Sequence, residues 1–93
     1  MIPVETDTMW PVAVNRRVTT AKAMKVTAAN LAQAADWVSG HTWASSVVVP
    51  IRMSNGRTGE MTAGAGDWIV EIATDTFQVW PGDRFHAEWE AGQ

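Results

Sequence analysis

The residues best suited to chemistry lie near the C-terminal end, where His86, Glu88 and Glu90 alternate along the chain. On a β-strand, residues two apart share a face and lie about 7 Å from each other, so two of these side chains could reach one metal ion. The same pattern is typical of a solvated strand face on which Arg84 pairs with the carboxylates, and we favour that interpretation. We therefore predict no metal site and no cofactor.

The other candidates for catalysis lack the surroundings that each mechanism requires. His41 follows a predicted helix end, where its imidazolium would stabilise the helix dipole. The serines do not occur in a nucleophile-elbow motif, and the turn at residues 64–66 lacks the lysine and the helix of a phosphate-binding loop. The chain has no cysteine, which excludes thiol nucleophiles and fits a reducing cytoplasm. We expect no catalytic residues and no enzyme activity.

Charge is unevenly distributed along the 93 residues, whose net charge is −3. Residues 1–57 carry six Lys and Arg against three acidic side chains, and residues 58–93 carry one against seven. In a domain this small the two halves fold together and largely neutralise each other. Cations beside Trp10 suit single-stranded nucleic acid, but phosphate binding depends on clustered positive charge, so a nucleic-acid partner is the secondary hypothesis.

Tryptophan is abundant, with six residues in 93, and this residue type is enriched among those that dominate protein interfaces. Trp37, Trp68 and Trp89 fit the predicted core pattern. The residues predicted to contact a partner are aromatic or cationic and lie outside that pattern: Trp10, Trp43, Trp80, Arg16 and Arg17. A homodimer formed through an unpaired sheet edge is a further alternative.

The elements that must position these residues belong to one small domain. The chain is 46% apolar, which is sufficient for one modest core and, at this length, too little for two. We expect residues 1–15 to form an extended N-terminal arm and residues 16–93 to form a single α+β domain. No apolar run approaches the roughly 20 residues that span a bilayer, and the N-terminus does not resemble a signal peptide, so we expect no membrane association.

An alanine-rich segment, residues 27–38, is the single predicted helix. Its apolar side chains recur with helical spacing at Leu31, Ala34, Ala35 and Val38. Thr27 suits the N-cap, and Gly40 suits the left-handed position that ends a helix.

Alternating patterns and turn residues predict the strands. They cover residues 18–26, 47–53, 57–63, 67–73, 77–80 and 84–90. Pro50 indicates an edge position or a bulge, and Asn55-Gly56 is typical of a type I′ hairpin turn. The order β-α-β-β-β-β-β predicts a mostly antiparallel, curved sheet of about five to six strands with one helix packed on it. The crossover through the helix leaves room for one parallel strand pair.

Several segments resemble a family of small uncharacterised proteins encoded by tailed phages and prophages. They are residues 21–27, Asn30-Leu31 with Asp36-Trp37-Val38 and Gly40, residues 59–63 with 66–70, and an ending made of Phe77, Pro81, Asp83, Phe85 and residues 87–89. The resemblance covers about residues 18–90. Ala65 departs from the family's usual proline, and residues 1–17 look like an extension.

The resemblance implies a phage origin and a location in the cytoplasm of an infected bacterial host, and it implies no activity. Together with the tryptophan content, it predicts a small accessory protein that acts as a non-catalytic protein-binding module on a host or phage protein. The alternative is a nucleic-acid-associated accessory protein that uses the basic N-terminal strand and Trp10.

Overall fold

The computed structural model describes residues 3–17, 19–53 and 55–92, which form eight strands and two helices. In chain order the elements are β1 Val12–Arg16, β2 Thr19–Lys25, α1 Leu31–Val38, β3 His41–Trp43, β4 Ser46–Arg52, β5 Thr58–Gly64, β6 Trp68–Ala73, β7 Thr76–Trp80, α2 Gly82–Glu88 and β8 Glu90–Ala91. The predicted α+β class is confirmed. The element order differs because β1, β3, α2 and β8 were not predicted.

The strands form two sheets rather than the one predicted. The large sheet has the order β7-β6-β2-β1-β8, and the small sheet has the order β3-β4-β5. Every strand pair within the described residues is antiparallel. The parallel pair that the crossover left open is therefore not found there, because α1 leads from the large sheet into a different sheet.

Both faces of the large sheet are covered, so the prediction of a single core was wrong. On one face, Met24 and Ile69 pack against α1 and the small sheet. On the other, Val70 packs against aromatic side chains of the C-terminal segment. The consecutive residues Trp68, Ile69 and Val70 are each 0% exposed, which requires cover on both sides because successive side chains of a strand point to opposite faces.

Helix α1 begins at Leu31, four residues later than predicted. The cause is Asn30, whose side chain is fully buried. Its Oδ1 accepts a hydrogen bond from Thr27 N at 2.8 Å, and its Nδ2 donates to Thr8 O at 3.0 Å and to Lys25 O at 2.8 Å. These bonds fix residues 27–30 as a turn, so Thr27 is not the N-cap, although the alanines that follow it favour a helix.

The end of α1 also differs from the prediction. Ser39 takes the left-handed conformation, with φ 57°, and Gly40 does not. Glycine is needed at position 40 for another reason: a Cβ there would lie 2.0 Å from the backbone oxygen of Val48. The close approach of α1 to the small sheet therefore selects glycine.

Residues 82–88 form helix α2, so the predicted strand over residues 84–90 was wrong. Phe85 and Trp89 fit a strand alternation, but their separation of four also fits one face of a helix. Phe85 lies between two indoles, with ring centroids 3.9 Å from Trp68 and 6.2 Å from Trp89 and interplanar angles of 3° and 11°. A helix satisfies both stacks at once, and that packing decides the conformation.

More of the N-terminal segment is packed into the domain than was predicted. Strand β1 begins at Val12 and pairs with both β2 and β8, so the predicted boundary at residue 15 falls within a strand. Val4 is 5% exposed and packs in the core that contains Phe85. Val18, the predicted start of the first strand, lies outside the described residues.

The remaining predicted strands are confirmed as β4, β5, β6 and β7. Among the described residues, strand β3 pairs only with residues 46–48 of β4, so within that part of the chain Pro50 has no neighbouring strand on that side, as an edge position requires. The predicted type I′ turn centred on Asn55-Gly56 is wrong: Met53 N donates to Arg57 O at 2.7 Å and Gly56 N donates to Met53 O at 3.0 Å, so Met53 and Arg57 close the hairpin, which a two-residue loop does not allow. Gly56 has φ +83°, the left-handed conformation that glycine favours.

The Gly-Asp-Trp segment has a structural role. Gly66 has φ +95°, and its N–H donates to Val26 O at 2.9 Å. Asp67 Oδ2 accepts from Gly64 N at 3.0 Å. The two contacts shape the turn that leads from β5 into β6, so the segment connects the small sheet to the large one.

Candidate functional site

Trp80, one of the predicted contact residues, is the centre of an aromatic and cationic cluster. Its half-buried ring meets the Trp89 ring edge-on, with centroids 5.9 Å apart. The guanidinium carbons of Arg16 and Arg84 lie 5.4 Å and 5.7 Å from the Trp80 ring centroid. Trp80 Nε1 donates to Gln78 Oε1 at 3.0 Å. We call these five residues the Trp80 cluster.

The two arginines of the Trp80 cluster differ in their electrostatic surroundings. Arg16 lies 3.9 Å from a Glu88 carboxylate oxygen, and both side chains are more than a third exposed, so this ion pair contributes little to stability. Among the described residues it is the one ion pair within 4.0 Å. Arg84 therefore has no carboxylate partner within that part of the chain.

A groove of about 350 Å³ opens beside the Trp80 cluster, between the small sheet and β7. Its lining residues are Ile51, Arg52, Met61, Phe77, Gln78, Val79, Trp80, Pro81 and Arg84. The lining combines apolar residues with two arginines, Arg52 and Arg84, and includes no acidic residue. We call it the β7 groove.

The structure brings together only part of the predicted contact set. Trp80 and Arg16 are joined in the Trp80 cluster, whereas Trp10, Trp43 and Arg17 do not line the β7 groove. Trp10 is 64% exposed and Trp43 is 69% exposed. Neither forms an aromatic or cation–π pair within the described residues. Trp43 is the last residue of strand β3, and Arg17 occupies an exposed turn with φ 54°.

Of the residues that line the β7 groove, the sequence analysis selected only Trp80. Those it missed include Ile51, Arg52, Met61 and Arg84. The sequence analysis predicted that Arg84 lies on a strand face beside carboxylates. In the structure it lies in helix α2 and lines the groove instead. The signal that could have found it is the helical spacing of Phe85 and Trp89. Nothing in the sequence indicates that β4 and β5 lie over β7, because those strands belong to different sheets.

The helix also separates the residues considered for metal binding. His86 and Glu88 lie in α2, where residues two apart point about 200° away from each other. The predicted common face for these side chains is therefore wrong. Among residues 3–17, 19–53 and 55–92, no group of three or more His, Asp and Glu side chains is placed to hold a metal ion. His86 instead packs edge-on against Trp68, with ring centroids 5.6 Å apart.

Comparison with protein-family models, curated proteins and solved structures gives no match for this chain. The resemblance to small phage proteins thus stays a prediction. Neither of the two helices in the described part of the chain has the length and apolar character needed to cross a membrane.

Proposed function

We propose that this protein is a non-catalytic protein-binding module encoded by a phage or prophage. In this proposal it acts on a host or phage protein in the cytoplasm of an infected bacterium. The β7 groove is the observation that carries the binding role. The phage origin and the cellular location rest on the sequence resemblance alone.

The composition of the β7 groove supports a protein partner. Binding hot spots are enriched in tryptophan and arginine and lie in well-packed pockets, and here Trp80 and Arg84 border an apolar floor. Phe77 is buried at 6% exposure, whereas Met61 is 44% exposed. The groove thus offers accessible apolar surface with fixed polar groups around it, which suits a few side chains of a partner.

The non-catalytic part of the proposal rests on the sequence, in which neither histidine nor any serine stands in a catalytic motif. His41 and His86 are both exposed. Within the described residues, neither imidazole takes part in a side-chain hydrogen bond.

The nucleic-acid alternative draws support from the exposure of Trp10 at 64%, since an exposed indole suits base stacking. Arg16 counts against it, because this guanidinium stacks on Trp80 and faces Glu88. Retention of the protein on heparin or DNA at low salt would favour this alternative.

The binding role is tested by affinity capture from lysates of infected and uninfected host cells. The decisive comparison is Met61→Glu against Met53→Glu. Both methionines are exposed, at 44% and 49%, but only Met61 lines the β7 groove. We expect the proteins retained by the wild type to be lost with Met61→Glu and kept with Met53→Glu.

Circular dichroism and thermal unfolding of both variants establish that the fold is intact. Equal capture by the wild type and by a folded Met61→Glu variant would contradict a binding role for the groove. Capture of nothing by the wild type from either lysate would contradict the protein-binding function itself.

A further inference from the structure

We infer that the β7 groove recognises an extended, carboxylate-bearing peptide segment of another protein, with an aliphatic side chain next to the acidic one. This inference rests on the proposed protein-binding function and adds the chemical class of the partner. The observation behind it is a lining that combines two arginines with apolar residues and contains no acidic residue, with the guanidinium of one of them, Arg84, held on the Trp80 ring.

Charge complementarity favours an anionic ligand. The chain carries a net charge of −3, yet Arg52 and Arg84 both line the β7 groove. Among the described residues neither has a carboxylate within 4.0 Å; the one ion pair there joins Arg16 and Glu88. A guanidinium group presents a planar set of N–H donors that matches a carboxylate in a bidentate arrangement. The groove is therefore bordered by arginines that have no carboxylate partner among the described residues, in an otherwise acidic protein.

Arg84 is held in place before a ligand arrives. Its guanidinium carbon lies 5.7 Å from the Trp80 ring centroid, and the Trp80 ring is itself fixed by the Gln78 hydrogen bond and by edge contact with Trp89. Stacking restricts the arginine side chain while the edge of the guanidinium remains able to donate hydrogen bonds. Binding then loses less side-chain entropy, which favours affinity.

The same contacts favour a peptide over a nucleic acid. Arg16 and Arg84 already stack on Trp80, so a base would have to displace a guanidinium to reach that ring. Ile51, Met61 and Val79 supply aliphatic surface beside the cations. That surface suits an aliphatic side chain and offers nothing to a sugar–phosphate backbone.

The extended conformation follows from strand β5. It has seven residues and, among the described residues, pairs only with β4, so its other edge presents unpaired backbone groups. Extended peptides bind such edges by adding a strand. Met61 is the central residue of β5, and a residue paired opposite it on an added strand would share the face that lines the groove.

The test is selection of short random peptides displayed on a carrier, with the wild-type protein as bait. We expect enriched peptides to contain Asp or Glu beside an aliphatic residue. A synthetic peptide of the most enriched sequence should shift the backbone amide resonances of residues 78–80 and 82–84. Its affinity should fall about tenfold with Arg84→Gln and with Arg52→Gln, as expected for the loss of a charge-assisted hydrogen bond.

Arg57→Gln is the matched control, because it removes the same charge from an exposed residue that does not line the groove. We expect this variant to bind like the wild type.

Enrichment of basic or neutral peptides, no enrichment at all, or equal affinity of the Arg52, Arg84 and Arg57 variants would overturn the inference. Binding of single-stranded oligothymidine that is lost with Arg84→Gln would also overturn it in favour of a nucleic acid. Elution at the earlier volume of a dimer on gel filtration in the absence of peptide, abolished by Arg84→Gln, would assign the groove to a second copy and likewise overturn it.

The proposed function and this inference fail in different ways. If lysate capture depends on Met61 but is unchanged in the two arginine variants, the binding module stands and the acidic partner is refuted. If the wild type captures no protein from lysate and also selects no peptide, both are refuted.

Discussion

Gly40→Ala is expected to destabilise the protein strongly, although alanine is usually favoured over glycine in a folded chain. An added Cβ would lie 2.0 Å from the backbone oxygen of Val48 and 3.1 Å from a Val38 methyl carbon. Because Cβ contacts below 3.0 Å essentially never occur, the end of α1 and strand β4 must separate by at least about 1 Å. Backbone atoms cannot rotate away as a flexible side chain does, so we expect a loss of about 3 kcal/mol, at the upper end of overpacking costs.

Gly64→Ala is the matched control. A Cβ at this position would meet only Ser46 Oγ, at an ordinary contact distance of 3.7 Å, and φ is not in the left-handed region. The substitution lowers the entropy of the unfolded chain by the same amount as at position 40, so we expect Gly64→Ala to stabilise the fold by about 0.5–1 kcal/mol. Because the effect on the unfolded chain is the same at both positions, a loss of stability at position 40 and a gain at position 64 would assign the loss to the contact in the folded state.

The assay is thermal and urea unfolding followed by circular dichroism. For a domain of this size 1 kcal/mol corresponds to roughly 4–8 °C in Tm, so Tm should fall by about 12–24 °C with Gly40→Ala and rise by a few degrees with Gly64→Ala. A Gly40→Ala variant within about 0.5 kcal/mol of the wild type would refute the close packing of α1 on the small sheet. Equal losses for both variants would refute the explanation by local contact.

Two further substitutions test the interior. Asn30→Ala removes three hydrogen bonds from a buried side chain and should lower the free energy of unfolding by about 2–4 kcal/mol. The control Asn55→Ala loses one exposed hydrogen bond and should lower it by less than about 1 kcal/mol. Similar losses for the two variants would contradict the anchoring role of Asn30. Phe85→Ala empties the space between two stacked indoles and should lower the free energy of unfolding, measured in urea, by about 3–5 kcal/mol. The near-ultraviolet circular dichroism signal of the indoles should also decrease. A loss below about 1 kcal/mol would contradict an independent core beneath α2.

Much of the fold could be predicted because it depends on local patterns. The apolar stripe of α1 and the hairpin between β4 and β5 both appear where the sequence indicates them. Each is decided by neighbours within a few residues, through the side-chain periodicity of helices and strands and the conformational freedom of glycine in turns. The start of α1 could not be predicted in this way, because Asn30 is held by Thr8, which lies 22 positions earlier in the chain.

The candidate site was predicted only in part. Trp80 and Arg16 were selected from residue type and from the absence of a core pattern, and the structure places both in the Trp80 cluster. Arg84 was assigned to the wrong element, because Phe85 and Trp89 satisfy both strand and helix periodicity. Arg52 and Met61 had no local signal, since the β7 groove forms only where the small sheet passes over β7.

The sequence alone determined which segments are helical or extended wherever one periodicity was unambiguous, and it determined that the chain is acidic, free of cysteine and rich in tryptophan. Tertiary structure alone decided that the strands divide into two sheets, that apolar side chains pack on both faces of the large sheet, and that residues 82–88 are helical. The physical reason is that burial is a property of pairs of surfaces. Local periodicity states which side of an element is apolar, but the partner surface that covers it comes from residues distant in the chain, and those contacts choose between the local conformations that the pattern leaves open.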